Sequence, residues 1–116
     1  MLVIDDEPAI LRALRRVLNG FHEVVTCQRA RDALLLFERG EVFDVVICDV
    51  MMPDMTGVEF HEQVCASYPA LSERLVFMTG GALSLRAEAF IKEVGQVLEK
   101  PLRASDIRDL VSSLVD

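Results

Sequence analysis

The sequence predicts an α/β fold in which a parallel sheet is covered by helices on both faces. Two observations carry this. Five short apolar, branched runs alternate with five segments whose apolar residues recur at helical spacing. The strand runs are also continuously apolar rather than alternating, as strands buried on both faces are.

Leu2-Val3-Ile4 is ended by Asp5-Asp6-Glu7-Pro8, which predicts a buried strand, a turn and a helix start. Pro8 falls in the first turn, where its missing N–H has no intrahelical partner to lose. Ile10, Leu11, Leu14, Val17 and Leu18 keep helical spacing until Asn19-Gly20. The second strand is expected over 23–27, and Ala30, Ala33, Leu34 and Phe37 outline a second helix closed by Gly40. A third strand is expected within 42–50, centred on Val45-Val46-Ile47-Cys48, with Pro53, Asp54 and Gly57 marking the loop beyond it. A third helix is expected over 58–67, before Tyr68-Pro69. Leu75 to Met78 predicts a fourth strand and Thr79-Gly80-Gly81 a turn. Leu85, Ala89 and Phe90 outline a fourth helix, Gln96-Val97-Leu98 a short fifth strand, and Ile107, Leu110, Val111 and Leu114 a last helix.

The 116 residues are enough for one domain, 1–116, with a real core. No linker, repeat or low-complexity stretch interrupts it, and elements reach both ends, as in a chain trimmed to a domain. The composition, 52% apolar and 27% charged, is that of a globular protein. No apolar run reaches the roughly 18–20 residues of a membrane span, and with acidic residues from position 5 no signal peptide is expected within these residues. Cys27, Cys48 and Cys65 are odd in number and lack CxxC spacing, which argues against a disulfide framework or zinc site and for a cytoplasmic location. A net charge of −7 argues against direct binding of nucleic acid or an anionic membrane by this domain.

Parallel sheets place ligands at the carboxyl ends of their strands. There the sequence puts Asp5 and Asp6 after the first strand, Asp49 after the third, Thr79 after the fourth and Lys100 after the fifth. Each alone has an ordinary explanation: an aspartate caps a helix, a threonine before glycine turns the chain, a lysine is solvated. Asp49 is the hardest to dismiss, because it follows four apolar residues where an unpaired charge is costly. Three gathered carboxylates need a cation, and an oxygen-only set favours a hard one such as Mg²⁺. With an ammonium and a hydroxyl nearby, these are the parts of phosphoryl transfer onto a carboxylate.

The residues resemble the response-regulator receiver domains along essentially the whole chain. The resemblance is carried by Asp5-Asp6-Glu7, by the run from Asp49 through Pro53 and Asp54 to Gly57, by Thr79-Gly80 and by Lys100-Pro101. It implies a flavodoxin-like (βα)5 fold with strand order 2-1-3-4-5. It implies Asp49 as the phosphoacceptor, with Mg²⁺ held by Asp5, Asp6, Asp49 and the main-chain carbonyl of Met51. Thr79 and Lys100 would bind the phosphoryl group, and the Lys100–Pro101 bond would be cis. It implies a histidine kinase or histidine phosphotransfer domain as donor, which the rim residues Ile10, Ala13, Pro53, Pro101 and Leu102 would meet. A monomer is expected. The segments Met78 to Ala82 and Leu98 to Leu102 are most similar to receivers attached to hybrid histidine kinases. A stand-alone or output-fused receiver is the alternative.

The family's aromatic residue three positions before the lysine is here Val97, which puts the usual switch readout in question; Phe90 is the candidate substitute. A metal-dependent phosphatase would want a second aspartate two positions after the nucleophile, where this chain has Met51. A receiver that only binds partners would normally have lost Asp49, Lys100 or the acidic pair. Flavin or nucleotide binding would want a glycine- or hydroxyl-rich first loop in place of Asp-Asp-Glu-Pro.

Overall fold

The computed structural model describes residues 1–19, 23–52, 55–80, 84–94, 96–100 and 103–115. Five strands, β1 (Leu2–Ile4), β2 (Val25–Cys27), β3 (Val46–Asp49), β4 (Leu75–Thr79) and β5 (Val97–Glu99), form one parallel sheet in the order β2-β1-β3-β4-β5. Its helices are α1 (Pro8–Leu18), α2 (Ala30–Glu38), α3 (Gly57–Ser67), the four-residue α4 (Pro69–Ser72), α5 (Leu85–Val94) and α6 (Ala104–Val115). The fold class and strand order are those expected from the sequence.

Alternation along each strand divides the core in two. Leu2, Ile4, Val46, Cys48, Leu75 and Phe77 face α2, α3 and α5, meeting Ala33, Phe37, Phe60, Val64 and Phe90. Val3, Ile47, Val76, Met78 and Leu98 face α1 and α6, meeting Leu11, Leu14, Leu18, Ile107 and Val111. Because both faces are covered, apolar residues occupy consecutive positions and the strands read as unbroken runs.

Local chemistry sets the helix ends. Pro8 opens α1, and Asn19 ends it with its N–H donating to the carbonyl of Arg15; Gly20 lies outside the described residues. Gly40 ends α2 at φ +85°, a conformation that glycine adopts without the Cβ clash other residues meet. Thr56 caps α3 in a reciprocal box: its hydroxyl accepts from the Glu59 N–H and its own N–H donates to the Glu59 carboxylate, each at 3.2 Å.

Three expectations are corrected. The third strand begins at Val46 rather than near Val42, which is 83% exposed; pairing starts where Leu2 of β1 and Leu75 of β4 come alongside Val46. The second strand is likewise shorter, 25–27. Leu85 and Ala89 are exposed, and the inward stripe of α5 is Ala87 and Phe90 with Ile91 and Val94 beside them. Spacing of three and four residues is kept, but its phase is set by Phe90 packing on β4. The third helix ends at Ser67 as expected, and Pro69 beyond it starts α4, with Ser72 Oγ donating to the Pro69 carbonyl at 2.6 Å.

Candidate functional site

Three strand ends bring four of the expected groups together. Asp5 follows β1, Asp49 ends β3, and Lys100 follows β5, fixed by its N–H donating to the Thr79 carbonyl at 2.7 Å. Carboxylate oxygens of Asp5, Asp6 and Asp49 lie within 4.8 Å of one another. The Lys100 ammonium reaches across to Asp5 Oδ2 at 3.1 Å and Asp49 Oδ2 at 3.4 Å. A cleft of about 530 Å³ opens over them, lined by Asp6, Glu7, Ile10, Asp49, Met51, Gly80 and Lys100.

The ordinary explanations of these residues can now be weighed. The N-cap of α1 is Glu7, without a side-chain cap bond, so neither aspartate serves there. Asp5 Oδ1 instead accepts from the Glu7 N–H at 2.9 Å. Lys100 is largely buried and ion-paired rather than solvated. Thr79 is the last residue of β4 and buried, not a turn residue, and it does not line the cleft. Met51 does line it, and its N–H faces Asp49 Oδ1 at 3.4 Å. Pro101, Leu102, Pro53 and Asp54, and with them the expected cis bond, lie outside the described residues.

Burial raises the Asp49 carboxyl above its ordinary 3.8, and the Asp5 charge adds to this; Lys100 and the Met51 amide pull the other way. Burial likewise raises Asp5, against the Glu7 amide and Lys100. Burial alone would lower Lys100, but the two carboxylates outweigh it and hold the ammonium above 10.5. Three carboxylates against one ammonium leave two negative charges uncompensated. Asp5 Oδ2 is fully buried with no hydrogen bond among the described residues, its contact with Lys100 being an ion pair outside hydrogen-bond geometry. An orphaned acceptor inside an oxygen-only, doubly negative cluster fits a hard divalent cation.

Gly80 was marked in the sequence by the Thr79-Gly80 pair, and the structure adds what it touches. A Cβ there would stand 3.0 Å from the Lys100 Cβ and 3.3 Å from its Cδ, so the bare backbone forms the bed of the lysine stem. The packing of Gly80 under the lysine stem was not legible from the Thr-Gly pair, because the lysine it supports is twenty residues away in sequence. Val97 is a half-buried strand residue opposite Phe77. The Phe90 ring packs edge-on against the same Phe77, centroids 4.9 Å apart.

Fold and site together define a flavodoxin-like module built around a carboxylate cluster at a sheet edge. The chain belongs to the response regulator receiver domains, whose family model matches residues 1–112. It is 34% identical over 118 aligned residues to the hydrogenase transcriptional regulatory protein HoxA of Cupriavidus necator, covering 100% of this chain and 24% of that one. It is 48% identical over 66 residues to the two-component response regulator ARR11 of Arabidopsis thaliana, covering 55% of this chain and 13% of that protein. The chain thus spans a quarter or less of these curated relatives. Among solved structures, a response regulator receiver domain protein from Clostridium thermocellum superposes with a TM-score of 0.81 at 26% identity, covering 98% of this chain and 91% of that one. The receiver of a histidine kinase from Syntrophus aciditrophicus gives 0.83 at 22%, covering 98% and 87%, a likeness of fold alone. Receiver domains are phosphorylated by histidine kinases or phosphotransfer proteins and generally use Mg²⁺. No helix among the described residues is long and apolar enough to cross a membrane.

Proposed function

We propose that this domain accepts a phosphoryl group on Asp49 from a phosphohistidine, in a Mg²⁺-dependent reaction, as the receiving step of a two-component phosphorelay. The observation that carries the reading is the contact of one buried carboxylate, Asp49, with a lysine ammonium inside an acidic cluster under an open cleft. An Asp49 carboxylate oxygen attacks phosphorus in line, the P–N bond breaks, and the imidazole of the donor departs with the electron pair. Lys100, already between Asp5 and Asp49, pairs with a phosphoryl oxygen, and Thr79, buried at the end of β4 outside the cleft lining, would turn its hydroxyl toward another. Asp5, Asp6, Asp49 and the Met51 carbonyl would hold the Mg²⁺, which when bound neutralises charge on the transferring group. The domain thereby promotes its own phosphorylation and dephosphorylation without acting on a separate substrate.

The donor is a histidine kinase or histidine phosphotransfer domain, which covers the cleft with Ile10 on its rim. The domain works as a cytoplasmic monomer while it receives phosphate and contacts neither nucleic acid nor membrane itself. The test is intact mass after incubation with acetyl phosphate and Mg²⁺. Asp49→Ala should lose the added phosphoryl mass, and chelation should abolish it in the parent. Equal labelling of Asp49→Ala would overturn the assignment.

A further inference from the structure

α1 stands apart electrostatically from the rest of the chain. It holds three arginines, Arg12, Arg15 and Arg16, and no acidic residue. By contrast, α2, α3, α5 and α6 each carry two acidic residues, and the whole chain has a net charge of −7. Positive charge is therefore concentrated on one helix of an acidic domain.

Stability accounts for part of this. Arg15 is used within the fold: its guanidinium donates to the Val24 carbonyl at 3.3 Å and to Thr26 Oγ1 at 3.4 Å, over the edge strand β2. Arg16 stands in the last turn, where a cation suits the helix dipole. Arg12 lies a full turn earlier, where that effect has fallen off. Among the described residues neither Arg12 nor Arg16 has an ion-pair or hydrogen-bond partner. They are four residues apart, so like charges face one another on adjacent turns, which disfavours the helix. Nothing within the fold compensates that repulsion.

Their position supplies a reason. Leu11, Leu14 and Leu18 are buried, and Ala9, Arg12, Ala13 and Arg16 form the exposed side of α1. The same helix joins the cleft wall at Ile10, in its first turn. A helical protein that covers the cleft also lies against α1. Ala9 and Ala13 are small enough to let a second helix approach closely, and the two arginines stand about 6 Å apart along the axis beside them. Carboxylates four residues apart on a partner helix have the same spacing. With a Debye length of about 8 Å at physiological ionic strength, a partner at this face meets the arginines of α1 and is screened from the distant acidic surface.

We propose that Arg12 and Arg16 form a recognition face for an acidic helix of the phosphohistidine donor, one with carboxylates a helical turn apart beside its histidine. The identity of the partner rests on the phosphoryl reading; the new element is the sign of the charge that the partner presents. That charge acts on encounter rate and on choice among donors, not on the chemistry at Asp49.

Two versions of one histidine phosphotransfer domain serve as probes, the first with glutamates a turn apart beside its histidine, the second with lysines in their place. Association is followed by stopped flow with both probes unphosphorylated, so the result does not depend on Asp49. The parent should associate with the glutamate probe about tenfold faster than with the lysine probe at low salt, and about 0.5 M salt should erase the difference. Arg12→Glu with Arg16→Glu should invert the preference, which a damaged fold would not do. With phosphorylated probes, transfer rates divided by each protein's own acetyl phosphate labelling rate should follow the same order. A parent that takes no label from acetyl phosphate and Mg²⁺ would overturn the phosphoryl reading, while the charge preference is decided by association alone. Equal association with both probes at low salt, a preference that survives about 0.5 M salt, or a double variant that keeps the parent's order would each overturn the proposal. Binding of duplex DNA or anionic vesicles by the parent that the double variant loses would also overturn it, by assigning the face to another polyanion.

Discussion

Asp49→Asn is expected to stabilise the metal-free protein at pH 7, because the site is assembled against its own electrostatics. Oxygens of Asp5, Asp6 and Asp49 lie within 4.8 Å of one another. At an effective dielectric constant of about 20, a like-charge pair at that separation repels by about 3.5 kcal/mol, and Lys100 at 3.4 Å attracts Asp49 by about 5 kcal/mol. Asp6 is exposed, so its share is screened to about 1 kcal/mol. Removing the Asp49 charge thus relieves about as much repulsion as the attraction it forfeits. The difference is left to desolvation, several kcal/mol for a buried ion, partly recovered through the Met51 amide. The net expectation is a gain of about 1–2 kcal/mol, or about 4–8 °C in Tm.

The pH dependence follows from the raised Asp49 carboxyl. A carboxyl whose folded pKa is raised keeps its proton longer in the folded state. Its destabilising effect is absent below the unfolded value of 3.8, grows as pH rises toward the folded value, and is complete above it. The advantage of the variant should therefore shrink as pH falls toward 4. Mg²⁺ at ten times its Kd stabilises the parent by about 1.4 kcal/mol and should close most of the gap. Urea melts at pH 4 to 7.5, in chelator and in Mg²⁺, measure all three effects. A variant less stable than the parent in chelator at pH 7, or an advantage independent of pH, would refute the reasoning.

Three other outcomes are expected. Gly57→Ala places a Cβ 2.8 Å from the Val50 Cα and 3.1 Å from the Asp49 carbonyl oxygen, so a net destabilisation of about 1–3 kcal/mol should exceed the helix-propensity gain; an unchanged urea midpoint would show that the loop yields. Ile10→Glu should slow phosphoryl transfer from a phosphohistidine protein while sparing acetyl phosphate labelling, and equal loss of both rates would mean damage to the fold rather than to a docking rim. Beryllofluoride with Mg²⁺ should shift amide resonances mainly at 80–81 and the start of α5, since Val97 has no ring to exchange between pockets and is stiff about χ1. Large shifts along 96–98 and α6 with quiet resonances at 80–81 would contradict this.

Much of this protein was legible in one dimension. Burial on both sheet faces makes Leu2 to Ile4, Val45 to Cys48 and Leu75 to Met78 continuous apolar runs, and the helices between them keep a period near 3.6. Parallel topology sends each of these strands toward the same edge, so Asp5, Asp49 and Lys100 could be assigned to one site from their positions after strands. What the sequence left open depended on neighbours distant in the chain. The length of β3 was set by pairing with β1 and β4, and the phase of α5 by Phe90 against Phe77. The separation of Lys100 from two carboxylates, the orphaned oxygen of Asp5 and the bed that Gly80 provides exist only once the strands are aligned. Local patterning reports burial, which each residue carries in its own chemistry; distances between strand ends are properties of the packed sheet, and no single segment encodes them.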